Sequence, residues 1–197
     1  MQGATQAAIT AYNTMKTSLA LQSPLSWTSP AFDLKKYNLV FLPGGHEKGV
    51  RQVIDSSAVH AHLAAYVPLT KQPSNRAVAA VCHGVMVLST AKDAQGKSLI
   101  HDKTTTALMG GHEQGIWQAT RLWLGDYYKT YGAGSDSVEV AVRKELDDPE
   151  TQWKGSLGMA PLVVEDERYN YVSARFPGDV ERMCEVMLEM MGRIAET

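Results

Sequence analysis

Two short apolar runs constrain this 197-residue chain more than any other feature. The first, Asn38 to Pro43 (NLVFLP), stops at Pro43, Gly44 and Gly45. The second, Ala77 to Val81 (AVAAV), stops at Cys82, His83 and Gly84. Neither run alternates apolar with polar residues. A strand that is apolar on both faces has to be covered on both faces, which is the signature of a parallel sheet with helices packed against each side. The runs are too short for helices, and each ends in residues that break regular structure.

Helical patterns surround them. Thr5 to Leu21 carries Ala8, Ile9, Tyr12, Met15 and Leu19 near the 3.6-residue period. Ser56 to Lys71 predicts a helix with Ser56 or Ser57 as N-cap and Val59, Leu63 and Val67 inward. Val85 to Ala91 predicts a helix starting just after Gly84, and His112 to Tyr131 sets Trp117, Leu122, Trp123 and Leu124 at helical spacing. Pro177 suits the opening of a last helix through Met191, with Val180, Met183, Val186, Met187 and Met190 inward. Thr104 to Leu108 predicts a β-branched strand. Val138 to Leu146 fits either strand or helix, while Pro161 to Glu165 and Tyr169 to Ala174 flank an acidic turn as a hairpin or two paired strands. With no repeat and no linker, this alternation predicts one domain over residues 1–197, an α/β sandwich around a mainly parallel sheet.

Charge and composition exclude some partners. A net charge of −2 without a basic stripe argues against nucleic acid. No apolar run approaches the roughly 20 residues that span a bilayer, and the N-terminus has no apolar signal core. Two cysteines, Cys82 and Cys184, are too few for a disulfide framework and fit a reducing, cytoplasmic compartment.

In open α/β sheets the chemistry sits beyond the carboxyl ends of the strands. There this chain places Ala80-Val81-Cys82-His83-Gly84, with small residues two before and two after the cysteine, as a sharp strand-to-helix turn requires. The amides opening the next helix would favour a thiolate, with a pKa below the free value of about 8.5, and could hold an oxyanion. The competing reading of Cys82 is a buried structural thiol. Cys184, among methionines, reads as core packing.

The segments LVFLPGGHEKGVRQ and AVAAVCHGV, followed by TTAL, TRLWLGDYYKTY and YNYVSARFPGD, resemble the DJ-1/PfpI (ThiJ) family of the class I glutamine amidotransferase-like superfamily. The resemblance runs from about Pro30 to the C-terminus. It implies a flavodoxin-like three-layer sandwich and a homodimer. It implies Cys82 as nucleophile, with His83 lending a backbone amide and a side-chain base and Gly45 the second oxyanion amide. From their own place at the strand-end turns, Gly44, His46, Gly84 and His112 are read as part of the oxyanion and substrate site. The implied activities are cofactor-independent: glyoxalase, hydratase, hydrolase or chaperone.

The family opens with a buried strand and an acidic turn whose glutamate shares a proton with the cysteine. Here the chain starts in a helical pattern, so that strand and acid have no counterpart, and a strand with an unpaired edge is expected. Glu113, after Gly110-Gly111, is a candidate substitute acid or a group orienting His83. Its alternative is a carboxylate in the first turn of a helix, where it suits the dipole. His46, His83 and His112 all end predicted strands, but no pair has the tight spacing of a metal motif, so neither metal nor cofactor is expected. Arg121, Asp126, Tyr127, Tyr128 and Tyr131 read as an interior network, with a lid, a dimer face or a substrate wall as the alternatives. Arg175 and Asp179 read as a salt bridge fixing the turn before the last helix, with an arginine contact to an anionic substrate as the alternative. The expectation is a cysteine-dependent enzyme for a small electrophilic molecule. The alternatives are a redox-sensing or chaperone-like protein without catalysis, or an inactive truncated paralogue.

Overall fold

The computed structural model describes residues 5–196 and divides the chain into two compact units, one ending at Asp33 and one beginning at Leu34. The first unit holds helix α1 (Gln6–Lys16), opened by the Thr5 hydroxyl, which accepts from the Ala8 amide at 3.2 Å. The helical pattern expected there is present, and none of its residues is buried.

The second unit is built on strands β1 (Leu39–Leu42), β2 (Ala77–Val81), β3 (Val163–Glu165) and β4 (Tyr171–Ala174), in the order β1-β2-β4-β3. β1 and β4 flank β2 and both run parallel to it, and β3 runs antiparallel to β4. Every residue of β2 and β4 is buried. The two-residue alternation of a strand divides β2 between two cores. Val78 and Ala80 pack with Leu63, Val85, Leu88 and Val142 on one face. Ala77, Ala79 and Val81 pack with Met183, Val186 and Met190 on the other. Helices α2 (Ser57–Tyr66), α3 (Gly84–Thr90) and α5 (Val138–Arg143) thus feed the first face, and α6 (Val180–Ala195) the second. Helix, sheet and helix make the three layers of a flavodoxin-like fold. Helix α4 (Gly110–Leu124) lies between α3 and α5 in the chain.

The caps follow the residue chemistry. Ser56 accepts from the Val59 amide and opens α2, and Ser137 accepts from the Val140 amide and opens α5. Val138 and Val142, four apart, are buried together, so the segment that fitted either type is a helix.

β1 is an edge strand. The Asn38 carbonyl accepts from the Ala77 amide at 2.7 Å. Alternation then turns the backbone groups of Leu39 and Phe41 outward. Phe41 is 43% exposed. Among the described residues no strand pairs with that edge.

Three expectations are corrected. Thr104 to Leu108 is not a ladder strand; only Thr105 bridges, to Trp153. Its threonines are held by side chains instead. The Thr105 hydroxyl meets Tyr171 Oη at 2.7 Å, and the Thr106 amide donates to Ser173 Oγ at 3.0 Å. Cys184 is exposed, because α6 buries Met183, Val186 and Met190 and residue 184 lies about 100° around the helix from Met183. In the Arg121–Tyr131 cluster only Tyr128 is buried, since Arg121, Tyr127 and Tyr131 face solvent.

Candidate active site

Parallel β1 and β2 bring two turns side by side at their carboxyl ends, Pro43 to His46 and Cys82 to Gly84. Cys82 has φ 59°, a positive value shown by no other non-glycine residue among those described. An L-residue held there carries roughly 1–2 kcal/mol of strain. The backbone so bent presents the thiol at the start of α3, as the sequence predicts. The glycines of the two turns also meet across the elbow. A Cβ on Gly84 would lie 2.1 Å from the Leu42 carbonyl oxygen, and one on Gly44 would lie 2.6 Å from Cys82 Cβ. Small residues are therefore needed where the β1 turn crosses the elbow.

His83 follows directly, and its Nδ1 lies 3.3 Å from Cys82 Sγ. The ring is 1% exposed. Burial, and then the neighbouring His46, hold its pKa down at about 4, so the imidazole is neutral at pH 7. Its Nε2 has no hydrogen-bond partner among the described residues. Burial pushes the Cys82 thiol up to about 11. Amide hydrogen bonds from His83 and Gly45 pull the other way without prevailing, and the charge of Glu113 adds to the rise. The expectation of a lowered thiol pKa is thus reversed: the helix-start amides are present, but desolvation outweighs them. Sulfur and imidazole rest as a neutral pair.

Glu113, in the first turn of α4, is the buried residue of that helix. Its Oε1 lies 3.2 Å from Lys129 Nζ, and its Oε2 accepts from the Val138 amide at 2.8 Å. Side-chain exposures of 4% and 3% make this a buried ion pair. Both carboxylate oxygens are engaged, and Glu113 does not hydrogen-bond His83. It faces the site as a fixed charge.

His46 packs its ring on Tyr128 at 4.4 Å and on Tyr127 at 5.0 Å. Burial lowers its pKa against the opposing charge of Glu47. His112 Nε2 meets the Leu157 carbonyl at 3.0 Å, and its ring meets Phe176 edge-on at 5.3 Å. These groups surround a cavity of about 340 Å³ lined by His46, Cys82, Leu108, His112, Glu113, Ile116, Tyr128, Met159, Phe176 and Pro177. Gly44 and Gly45 line a smaller hollow with Leu42 and Val50. A larger open cleft of about 830 Å³, lined by residues including Gln72, Glu165 and Arg193, has neither cysteine nor histidine in its walls.

Arg175 and Asp179, both fully buried, form the expected bridge, with Nε to Oδ2 and Nη2 to Oδ1 each 2.9 Å. The remaining guanidinium hydrogens go to the carbonyls of Ser156, Gly158 and Ala160. All five donors are used, and they pin the loop that carries Met159 onto the cavity rim. Among the described residues no cluster of three or more histidine, cysteine or carboxylate side chains is placed to hold a metal ion. Lys129 and Met159 were not visible as site residues in the sequence, because neither belongs to a spaced motif.

A sequence model of the family described as ThiJ/PfpI family-like matches residues 1–157. An uncharacterized protein of Schizosaccharomyces pombe is 26% identical over 190 residues, which is 96% of this chain and 63% of that protein. The chain therefore spans less than two thirds of the length of this curated relative. Among solved structures, the 24 kDa rapid encystment protein of Francisella tularensis superposes with a TM-score of 0.65 at 16% identity, covering 91% of this chain and 70% of that one. A Candida albicans protein named glyoxalase III gives a TM-score of 0.63 at 17% identity, covering 92% and 69% respectively. Those two likenesses establish the fold.

Proposed function

Because the chain belongs to the ThiJ/PfpI family, we propose that it is a cysteine-dependent, cofactor-independent enzyme acting on a small electrophilic carbonyl compound. The observation that carries this reading is Cys82, held at φ 59° with His83 Nδ1 3.3 Å from its sulfur, facing a cavity of small-molecule size. The name of the Candida albicans neighbour supports an α-oxoaldehyde as the substrate.

Cys82 Sγ adds to the aldehyde carbon. The S–C bond forms as the carbonyl π pair moves onto oxygen, and the thiol proton passes to His83 Nδ1. Since the thiol rests protonated, its deprotonation accompanies attack rather than preceding it. The amides of Gly45 and His83 hold the new oxyanion. His83 returns its proton to the oxyanion; its freed Nδ1 then takes the hydrogen of the hemithioacetal carbon as a proton and delivers it to the neighbouring carbonyl carbon, while the hemithioacetal hydroxyl proton passes to that carbon's oxygen. The first carbon is oxidised to a thioester and the second reduced to a carbinol, so no external reductant enters. Water cleaves the thioester, releasing a 2-hydroxy acid and restoring the thiol.

The test is lactate formation from methylglyoxal by the wild-type chain and by Cys82→Ser. Turnover that vanishes in the variant supports the reading, and equal rates in both overturn it. A chaperone-like role is the second reading, favoured by Leu122, Trp123 and Leu188 at 84%, 78% and 74% exposure. That reading requires suppression of client aggregation that survives Cys82→Ser and is lost in Leu122→Ser/Trp123→Ser. A homodimer and a cytoplasmic location belong to the same proposal, supported by the open β1 edge and by two unpaired thiols. Among the described residues, no helix is long and apolar enough to cross a membrane.

A further inference from the structure

The cavity at Cys82 contains an unusual balance of chemistry. Six of its ten lining residues, Leu108, Ile116, Tyr128, Met159, Phe176 and Pro177, present aliphatic, aromatic or thioether surface. Among the described residues that line it there is neither lysine nor arginine. Two cations that touch its lining residues, Lys129 against Glu113 and Arg175 against Phe176, are committed elsewhere. Lys129 is paired with Glu113, and all five donors of Arg175 are taken by Asp179 and three carbonyls. The charged group that does face the cavity is the Glu113 carboxylate. Both histidines on the walls are engaged as well, His46 against two tyrosine rings and His112 with a carbonyl and an aromatic edge.

We infer that the site selects an uncharged electrophile bearing an apolar, preferably aromatic, substituent, and rejects carboxylate-bearing substrates. The inference rests on the reading of Cys82 as the nucleophile and names the class of molecule it meets. A carboxylate entering here would lose its water without finding a cation, beside a fixed negative charge. An aryl or alkyl group would instead meet Phe176, Ile116 and Leu108, and the cavity of about 340 Å³ lies at the small end of the ~300–1,000 Å³ range of ligand sites. A long acyl chain or a peptide would extend past the rim rather than fit within the cavity. Met159, 76% exposed at that rim, and Ile116, 41% exposed, are the specificity-determining positions that can change without disturbing the core.

The molecule carries its own control. Cys184 is exposed on α6 and lies outside the cavity, so the ratio of labelling at Cys82 to labelling at Cys184 cancels the intrinsic reactivity of a reagent. The experiment compares iodoacetate, iodoacetamide and phenacyl bromide at one pH, with each cysteine followed by peptide mass spectrometry. In every case the sulfur displaces halide and the thiol proton leaves to buffer. The Cys82-to-Cys184 ratio is expected to rise in that order, with at least about tenfold between the first and the last, the discrimination that apolar contacts in a binding pocket provide. Met159→Lys, an exposed change, should raise the iodoacetate-to-iodoacetamide ratio at Cys82 and leave it unchanged at Cys184. Equal ratios for all three reagents, or a preference for iodoacetate in the wild-type chain, would overturn the inference. Selective labelling by phenacyl bromide without turnover of methylglyoxal would uphold it and count against the enzymatic reading instead.

Discussion

Acidification should destabilise this protein through His83. Its imidazole is 1% exposed, and its pKa is about 4 when folded against 6.5 when unfolded. The unfolded chain therefore binds a proton at this position that the folded chain refuses. A group whose folded pKa is lowered contributes stability that is fully present above the unfolded pKa and is lost as pH falls toward the folded one. At pH 5, 1.5 units below the unfolded value, the loss is about 2 kcal/mol at 1.36 kcal/mol per unit, and it approaches roughly 3 kcal/mol near pH 4. The perturbation is His83→Leu, which cannot titrate. The assay is urea unfolding of both proteins at several pH values from 7 to 4.5. Groups common to the two proteins, such as the carboxylates, cancel in the difference. The wild-type chain is expected to lose about 2 kcal/mol more than the variant between pH 7 and 5. Parallel stability profiles would refute the reasoning, as would an NMR titration in which the His83 ring protonates near 6.5.

Gly84→Ala should cost at least about 2 kcal/mol, because its Cβ would meet the Leu42 carbonyl at 2.1 Å, and a backbone atom there cannot swing away; an unchanged unfolding midpoint would show that the two turns do not touch. Alkylation of Cys82 by iodoacetamide should climb about tenfold per pH unit toward a thiol pKa of about 11, and a plateau below pH 9 would show that the helix-start amides outweigh burial after all. Lys129→Met should lower stability by roughly 3–5 kcal/mol by leaving Glu113 buried without its cation, with most of the loss restored in Lys129→Met/Glu113→Gln; a neutral single variant would mean that water reaches the pair. The open edge of β1 should drive self-association at micromolar concentration, and a monodisperse monomer by light scattering would remove that expectation.

The parallel sheet, its two-sided burial and the cysteine elbow were determined by the sequence, because they rest on local signals. β2 has no polar residue to turn toward water, and Pro43-Gly44-Gly45 and Cys82-His83-Gly84 end their strands in residues that break regular structure, with Gly45 and Cys82 at positive φ. The inward stripe of α6 and the Ser56 cap were legible for the same reason. The tertiary structure alone decided what surrounds the sulfur. Lys129 meets Glu113, and Met159 reaches the cavity rim through a loop pinned by Arg175, by contacts between segments far apart in the chain that no periodicity records. The sign of the Cys82 shift was decided there too. The helix amides that favour a thiolate can be read from the turn, but the desolvation that opposes them depends on how completely distant residues close over it, and in this fold that closure prevails.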